Sequence, residues 1–343
     1  MIVTAELSPM ALTRTGEAVL DVRGLNASFF TRRGEVRAVR DVSFSLLQGE
    51  TLALVGESGS GKTATAMSIL RMLPDTGRIT GGQIVFQGKD LLGRSQREMA
   101  RIRGRLIGLI PQDPAASLNP LMTTGQHLTE LLGVHLDMRG RAARLRAIEL
   151  LDLVGIPEPE RRFGAYPHQL SGGMRQRVMI ALAIACRPAV LIADEPTTAL
   201  DSTVQAQILE LIGALSREMH TATILITHNL GIVAGVCDRV AVMYGGRIAE
   251  VAPRDQLFAE PRHPYTLGLL RCVPRVDRIT AGEFQSIPGQ PPDLVGPTLG
   301  CSFAPRCAFA TDRCLQETPR LEPPIADHRA ACWNQDQLER ATS

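Results

Sequence analysis

Lysine is nearly absent from this chain. Of 37 basic residues only Lys62 and Lys89 are lysine, and arginine supplies the rest. A guanidinium is a planar fork and an ammonium a slim charge on a flexible stem, so a lysine kept inside a glycine-rich turn points to chemistry. A surplus of either charge is also missing. The formal net charge of +2 argues against a nucleic-acid protein, which carries a clear basic excess. No stretch approaches the ~18 apolar residues of a membrane-spanning helix. Residues 1–13 include Glu6 and have neither the basic start nor the apolar core of a secretion signal. These absences lead us to expect a soluble, unexported chain with a loose leader over residues 1–17. The seven cysteines contain no Cys-x-x-Cys knuckle of the zinc-ribbon kind. In an unexported chain they are expected as thiols or metal ligands, not disulfides.

A length of 343 residues suffices for a full core and suggests two domains, one of ordinary α/β size and one smaller. Gly56-Glu57-Ser58-Gly59-Ser60-Gly61-Lys62-Thr63 stands between the apolar run Thr51 to Val55 and the helix-like spacing of Ala64 to Leu73. A buried strand that enters a glycine turn and leaves as a helix is a phosphate cradle. The glycines admit a polyphosphate close to the backbone, and the helix start, through Ala64, aims N–H groups at it. Lys62 supplies charge to the outer phosphates and Thr63 a hydroxyl to magnesium. Upstream, residues 19–47 alternate apolar and polar around Thr31-Arg32-Arg33-Gly34, which reads as two paired strands. Phe29 and Phe30 are candidates to stack on an adenine, with core packing as the plainer alternative.

From Arg97 to Arg162 the pattern turns helical, and a helical insert is expected over about 97–185. Its arginines are diluted by Glu98, Glu130, Asp137 and Glu149, as on a solvated face. Ser171-Gly172-Gly173 opens another helix and is read as a second anion site, with a plain N-cap as the alternative. The apolar strand Val190 to Ala193 ends in Asp194 and Glu195. Ligands bind at such strand tips in parallel sheets. Asp194 suits the water shell of magnesium, and Glu195 a water facing the γ-phosphate. A further buried strand, Thr223 to Thr227, ends in His228, placed to contact the same phosphate.

Together these pieces resemble the nucleotide-binding domain of ABC transporters. The cradle, the glutamine loop at Gln112, the signature Leu170 to Arg177, the strand ending in Glu195, the turn Ala199-Leu200-Asp201 and the switch His228 occur in that family's order. The match covers about residues 18–255. Beyond it, His263-Pro264-Tyr265-Thr266, Ile287 to Pro292 and Gly300 to Cys307 resemble the C-terminal extension of ATP-binding subunits from bacterial dipeptide and oligopeptide importers, here about 256–343. Met174 departs from the glutamine of many ABC proteins. The resemblance implies a P-loop α/β domain with an antiparallel β subdomain and a helical subdomain. It also implies head-to-tail pairing, in which Ser171 completes the partner's ATP site. Gln112, on magnesium with Thr63 and Asp194, and His228 sense the γ-phosphate, and Glu195 drives hydrolysis. The expected partners are a second ATPase subunit, commonly a paralogue, two transmembrane permease subunits and an extracytoplasmic peptide-binding protein, with this chain on the cytoplasmic face of the membrane. Nickel or another small solute is the alternative cargo. A soluble ABC ATPase acting on nucleic acid is the alternative of another class.

Cys301, Cys307, Cys314 and Cys332 are separated by five, six and seventeen residues in a proline-rich segment with little periodic pattern. A loop-rich unit of this kind needs a staple. The spacing fits a [4Fe-4S] cluster better than zinc, and peptide-importer ATPases are similar in carrying four such cysteines. Zinc and free thiols stay open as alternatives. Cys186, Cys237 and Cys272 sit in apolar surroundings and are expected in the core.

Overall fold

Apolar–polar alternation, interrupted where the register shifts, on either side of Arg32-Arg33 builds a long hairpin, β1 (Ala18–Thr31) and β2 (Gly34–Leu47). The computed structural model that shows this describes residues 18–198, 200–273, 287–296, 299–321 and 327–342. The expected leader over residues 1–17 and Ala199 lie outside that set. After β2 comes β3 (Thr51–Val55), whose continuous apolar run marks a strand buried on both faces. β4 (Gly77–Phe86) joins the free edge of β1, and β5 (Lys89–Asp90) closes an antiparallel sheet of order β2-β1-β4-β5.

The second sheet has β3 at its centre. Its other members are β6 (Ile107–Ile110), β7 (Val190–Asp194), β8 (Ala222–Thr227), β9 (Arg239–Tyr244), β10 (Arg247–Pro253) and β11 (Arg329–Ala330), in the order β11-β10-β9-β3-β8-β7-β6. β9, β3, β8, β7 and β6 run parallel, and β10 and β11 are added antiparallel at one edge. Register decides what this sheet can do. Val55 of β3 is level with Thr227 of β8, Asp194 of β7 with Ile226, and Ile110 of β6 with Ala193. Four loops therefore leave the sheet at one edge, beginning with Gly56, Pro111, Glu195 and His228. The region 97–185 is not wholly helical as its periodicity suggested. β6 is too short to outweigh the helical pattern around it, yet it is a member of the parallel sheet. The helices Thr124–Leu136, Gly140–Leu153 and Gly172–Ile184 then pack together through Leu128, Leu132, Leu150 and Ile180, all fully buried.

The C-terminal segment shares a core with the cradle strand. Tyr265, Leu257 and Phe303 pack in one cluster with Ala53 and Val55 of β3 and Val242 of β9. Tyr244, Tyr265 and Phe303 meet ring to ring at 4.6–5.4 Å. A polar clasp secures the other side. The fully buried carboxylate of Glu250 on β10 lies 2.7 Å from His328 Nε2 and accepts the backbone N–H groups of Arg262 (2.7 Å) and His263 (3.0 Å). Burial pushes the His263 imidazole down to about 4, so that ring is neutral and its Nδ1 accepts the Tyr265 N–H at a helix start. Removing His328 strips a buried acceptor of one partner. His328→Ala is expected to destabilise the fold by about 2 kcal/mol, read as a lower urea midpoint with an unchanged m-value.

Candidate functional site

The cradle is shaped by close approaches that leave no room for a side chain. A Cβ on Gly56 would stand 2.2 Å from the Met243 carbonyl oxygen. One on Gly61 would stand 2.4 Å from the Ala38 carbonyl oxygen, and Gly61 adopts φ 102°, open only to glycine. Gly61 precedes the helix Lys62–Ile69, and no side chain caps that end, so its first N–H groups are left for a ligand. Ser58 and Gly59 are exposed at the turn's tip, while Ser60 is buried. Lys62 is only 4 % exposed and its ammonium is folded back over the turn. It donates to the carbonyls of Gly56 (2.7 Å) and Glu57 (2.9 Å) and to Ser60 Oγ (3.3 Å). Burial lowers its pKa, an effect opposed by the nearby carboxylates of Glu195, Asp194 and Glu57.

Across the sheet edge, Thr63 Oγ1 donates to Asp194 Oδ1 at 3.1 Å. Burial raises the Asp194 pKa and the Thr63 hydrogen bond opposes that rise. A hydroxyl and a carboxylate this close are the donor pair that magnesium takes from a protein when phosphates and water fill its other positions. Glu195 follows with φ 46°, a left-handed conformation unfavourable to a side-chain-bearing residue. Its N–H is held by the Ile226 carbonyl at 3.0 Å, and its own carbonyl accepts the Thr198 N–H at 3.1 Å. Its Oε2 accepts from Gln112 Nε2 (3.2 Å) and Thr198 Oγ1 (3.0 Å), and lies 3.4 Å from His228 Nδ1. Lys62, Thr63, Asp194, Glu195, Gln112 and His228 thus occupy one sheet edge, drawn from four loops.

Other expected residues fall elsewhere. Ser171 is exposed and caps the helix Gly172–Ile184, accepting the Met174 N–H at 3.3 Å. Asp201 caps the helix Ser202–Met219, accepting from Thr203 and Val204. The two helix starts are neighbours, since a Cβ on Gly173 would lie 3.1 Å from Val204 Cγ1 and one on Gly172 3.6 Å from Leu200 Cδ2. Phe29 packs at Gly77, where a Cβ would meet its ring at 3.0 Å, and Phe30 is 47 % exposed with the Arg78 guanidinium 5.8 Å from its centroid. The Glu57 carboxylate is occupied by Arg306. Thr198, Tyr265 and Arg306 were not legible as site residues. Only Thr198, three residues beyond Glu195, had a local signal.

The four clustered cysteines line one pocket with Trp333 and Asn334. Their sulfurs accept from Phe309 N (Cys307, 3.4 Å), Asn334 N (Cys332, 3.4 Å) and Asn334 Nδ2 (Cys314, 3.5 Å). Burial raises the pKa values of Cys301, Cys307 and Cys332, the last to about 12. Among the described residues, however, no group of three or more His, Cys, Asp or Glu is arranged to hold a metal ion, so the expected metal site is not borne out. The expectation that Cys186, Cys237 and Cys272 are core residues holds for Cys237, which is buried. Cys186 is half-buried and Cys272, just past the helix Pro264–Arg271, is exposed. No described helix is long and apolar enough to cross a membrane.

Two family models match this chain. Residues 39–198 match the family model described as ABC transporter, and residues 249–314 that described as oligopeptide/dipeptide transporter, C-terminal region. The dipeptide transport ATP-binding protein DppD of Bacillus subtilis is 51 % identical over 94 % of this chain and 96 % of its own. The oligopeptide transport ATP-binding protein OppD of Bacillus subtilis is 50 % identical over 92 % and 88 %. Among solved structures, the ATP-binding cassette MJ0796, as a dimer in a post-hydrolysis state bound to ADP and Pi, superposes with TM-score 0.62. It is 26 % identical and covers 68 % of this chain and 98 % of its own.

The glycine contacts make one substitution diagnostic. Gly61→Ala forces a Cβ into the Ala38 carbonyl at a left-handed position. It should cost at least about 2 kcal/mol and abolish saturable nucleotide binding, as read by thermal unfolding with and without ATP.

Proposed function

The chain belongs to the ABC transporter family, in its branch of peptide-transport ATP-binding proteins, and on that premise we propose that it binds and hydrolyses ATP to power the uptake of di- and oligopeptides. The observation that carries this reading is the meeting of the Lys62 ammonium, the Thr63–Asp194 pair and the Glu195 carboxylate at one sheet edge. A polyphosphate entering the turn offers Lys62 better acceptors than the neutral carbonyls of Gly56 and Glu57, so the ammonium moves onto the outer phosphate oxygens. The N–H groups at the start of the helix Lys62–Ile69 hold the inner ones. Thr63 and Asp194 would hold magnesium, which when bound neutralises charge on the phosphates.

Glu195 acts on the attacking water. Gln112, Thr198 and His228 converge on Oε2 and fix the carboxylate. Oε1 is then aimed by a backbone whose strained φ is held at both its N–H and its carbonyl. Gln112 and His228 sit on different loops, so a γ-phosphate that draws either one away from Glu195 is sensed by both. Ser171, exposed at a helix start, serves the site of a second ATP-binding subunit that pairs head to tail with this one. Phe30, the exposed ring of the pair, is the adenine-side residue in this reading, while Phe29 packs at Gly77. The permease subunits and an extracytoplasmic binding protein complete the importer, and the chain sits at the cytoplasmic face of the membrane. The peptide-transport names of its relatives favour peptides over nickel as cargo.

The cysteine pocket takes a [4Fe-4S] cluster in this proposal. Zinc and free thiols are the alternatives for the same pocket. The four cysteines line one pocket, and backbone N–H groups point at the sulfurs of Cys307 and Cys332, contacts that would stabilise cluster thiolates. Cys301, Cys307, Cys314 and Cys332 would hold it, and its part is structural.

Glu195→Gln is expected to keep ATP binding and to lower turnover at least about 100-fold. Undiminished hydrolysis would mean that another group activates the water. Anaerobically purified chain should carry about four iron and four sulfide per chain, and zinc without iron would exclude the cluster.

A further inference from the structure

Arg306 lies 249 residues along the chain from Glu57, yet its guanidinium closes on that carboxylate as a two-point fork. Nη1 donates to Oε2 at 2.7 Å and Nη2 to Oε1 at 3.0 Å. The remaining N–H groups are used as well. Nε donates to the Pro288 carbonyl (2.8 Å), Nη1 to the Tyr244 hydroxyl (3.2 Å) and Nη2 to the Ile287 carbonyl (3.1 Å). All five donors of the side chain are satisfied, and it is 5 % exposed against 26 % for Glu57. A guanidinium bonded on every side is fixed in place, so what it grips is fixed too.

What it grips is the shoulder of the phosphate turn. The Glu57 carbonyl accepts Lys62 Nζ at 2.9 Å and the Ser60 N–H at 3.2 Å. The Glu57 N–H donates to the Tyr265 hydroxyl at 2.8 Å, again from the C-terminal segment. A parallel contact runs through Arg40, whose Nη2 reaches Ser302 Oγ at 2.7 Å while the side chain also donates to the Gly245 carbonyl. Gly246, the next residue, donates to the Ser60 carbonyl at 3.0 Å. The C-terminal segment therefore grips one shoulder of the turn directly and reaches the other through Arg40 and the Gly245–Gly246 turn.

We propose that Arg306 is a positioning residue for the ATPase reaction: by neutralising and fixing Glu57 it keeps a carboxylate out of the path of the incoming phosphates and sets the turn that carries Lys62. The inference rests on the nucleotide reading of the cradle. Two consequences separate it from simple propping. An unpaired Glu57 repels a polyphosphate, so loss of Arg306 weakens ATP binding, and neutralising Glu57 as well restores part of it. Glu195, Gln112 and His228 are on other loops, so turnover at saturating ATP changes little.

The test is a cycle of Arg306→Gln, Glu57→Gln and the double variant in the full chain. ATP affinity is measured by fluorescence titration, KM and kcat in the assembled transporter, and folding by thermal unfolding. Arg306→Gln should raise the ATP dissociation constant and KM about tenfold, with kcat within about twofold of wild type. The double variant should recover at least about threefold of that loss. Arg306→Lys, which keeps the charge and loses the fork, should fall between wild type and Arg306→Gln, and it carries the test if Arg306→Gln does not fold. An affinity within twofold of wild type in Arg306→Gln, a double variant as weak as Arg306→Gln, or Arg306→Lys no better than its most damaged sibling would each overturn the proposal. A wild-type chain that does not bind ATP would instead overturn the nucleotide reading itself.

Discussion

The parallel register of β3, β6, β7 and β8 is the constraint from which the site follows. Hydrogen bonding between parallel strands fixes which residues are level, and here Val55 meets Thr227 and Asp194 meets Ile226. A shift of one residue would turn every side chain of the shifted strand to the opposite face. The cradle, the acidic pair and the histidine would then no longer share an edge. Nothing in the individual loops brings them together. The sheet does, and the apolar strands are kept level by burial on both faces.

Within that frame the polar groups are arranged so that each has a partner in the chain alone. Lys62 uses the carbonyls of its own turn, Thr63 uses Asp194, and Glu195 gathers three side chains from three loops. Buried charge is costly without such partners. The partners are also ones a phosphate can replace at little loss, because an ammonium exchanges neutral acceptors for charged ones. The stable resting arrangement is therefore compatible with ready ligand exchange.

Much of this was legible in the residues. The glycine turn, the hairpin β1–β2, strands β7 and β8 and the helix after Ser171 carry local signals: φ-permissive glycines, period-two alternation, continuous apolar runs, and a capping serine. What was not legible came from contacts distant in sequence. β6 is four residues within a helical pattern, and its strand character comes from its neighbour β7. The Arg306–Glu57 pair spans most of the chain, and no spacing rule reaches that far. Cys272 looked like a core residue because its neighbours are apolar, but the helix before it turns those neighbours inward and leaves Cys272 outside. Phe29 and Phe30 show the same limit, since adjacent residues on a strand face opposite ways and only the fold says which ring is free.

At the far side of the large sheet, β11 contributes just two residues, paired to Glu250 and Val251 of β10, with Ala331 N–H bonded to the Ala249 carbonyl. It is nonetheless what covers the outer rim of a seven-stranded sheet. Loss of β11 would bare the backbone groups of Ala249 to Val251 that it covers, an opening for strand-by-strand self-association. Two residues of backbone pairing would then separate a solitary chain from one that adds strands to its neighbours.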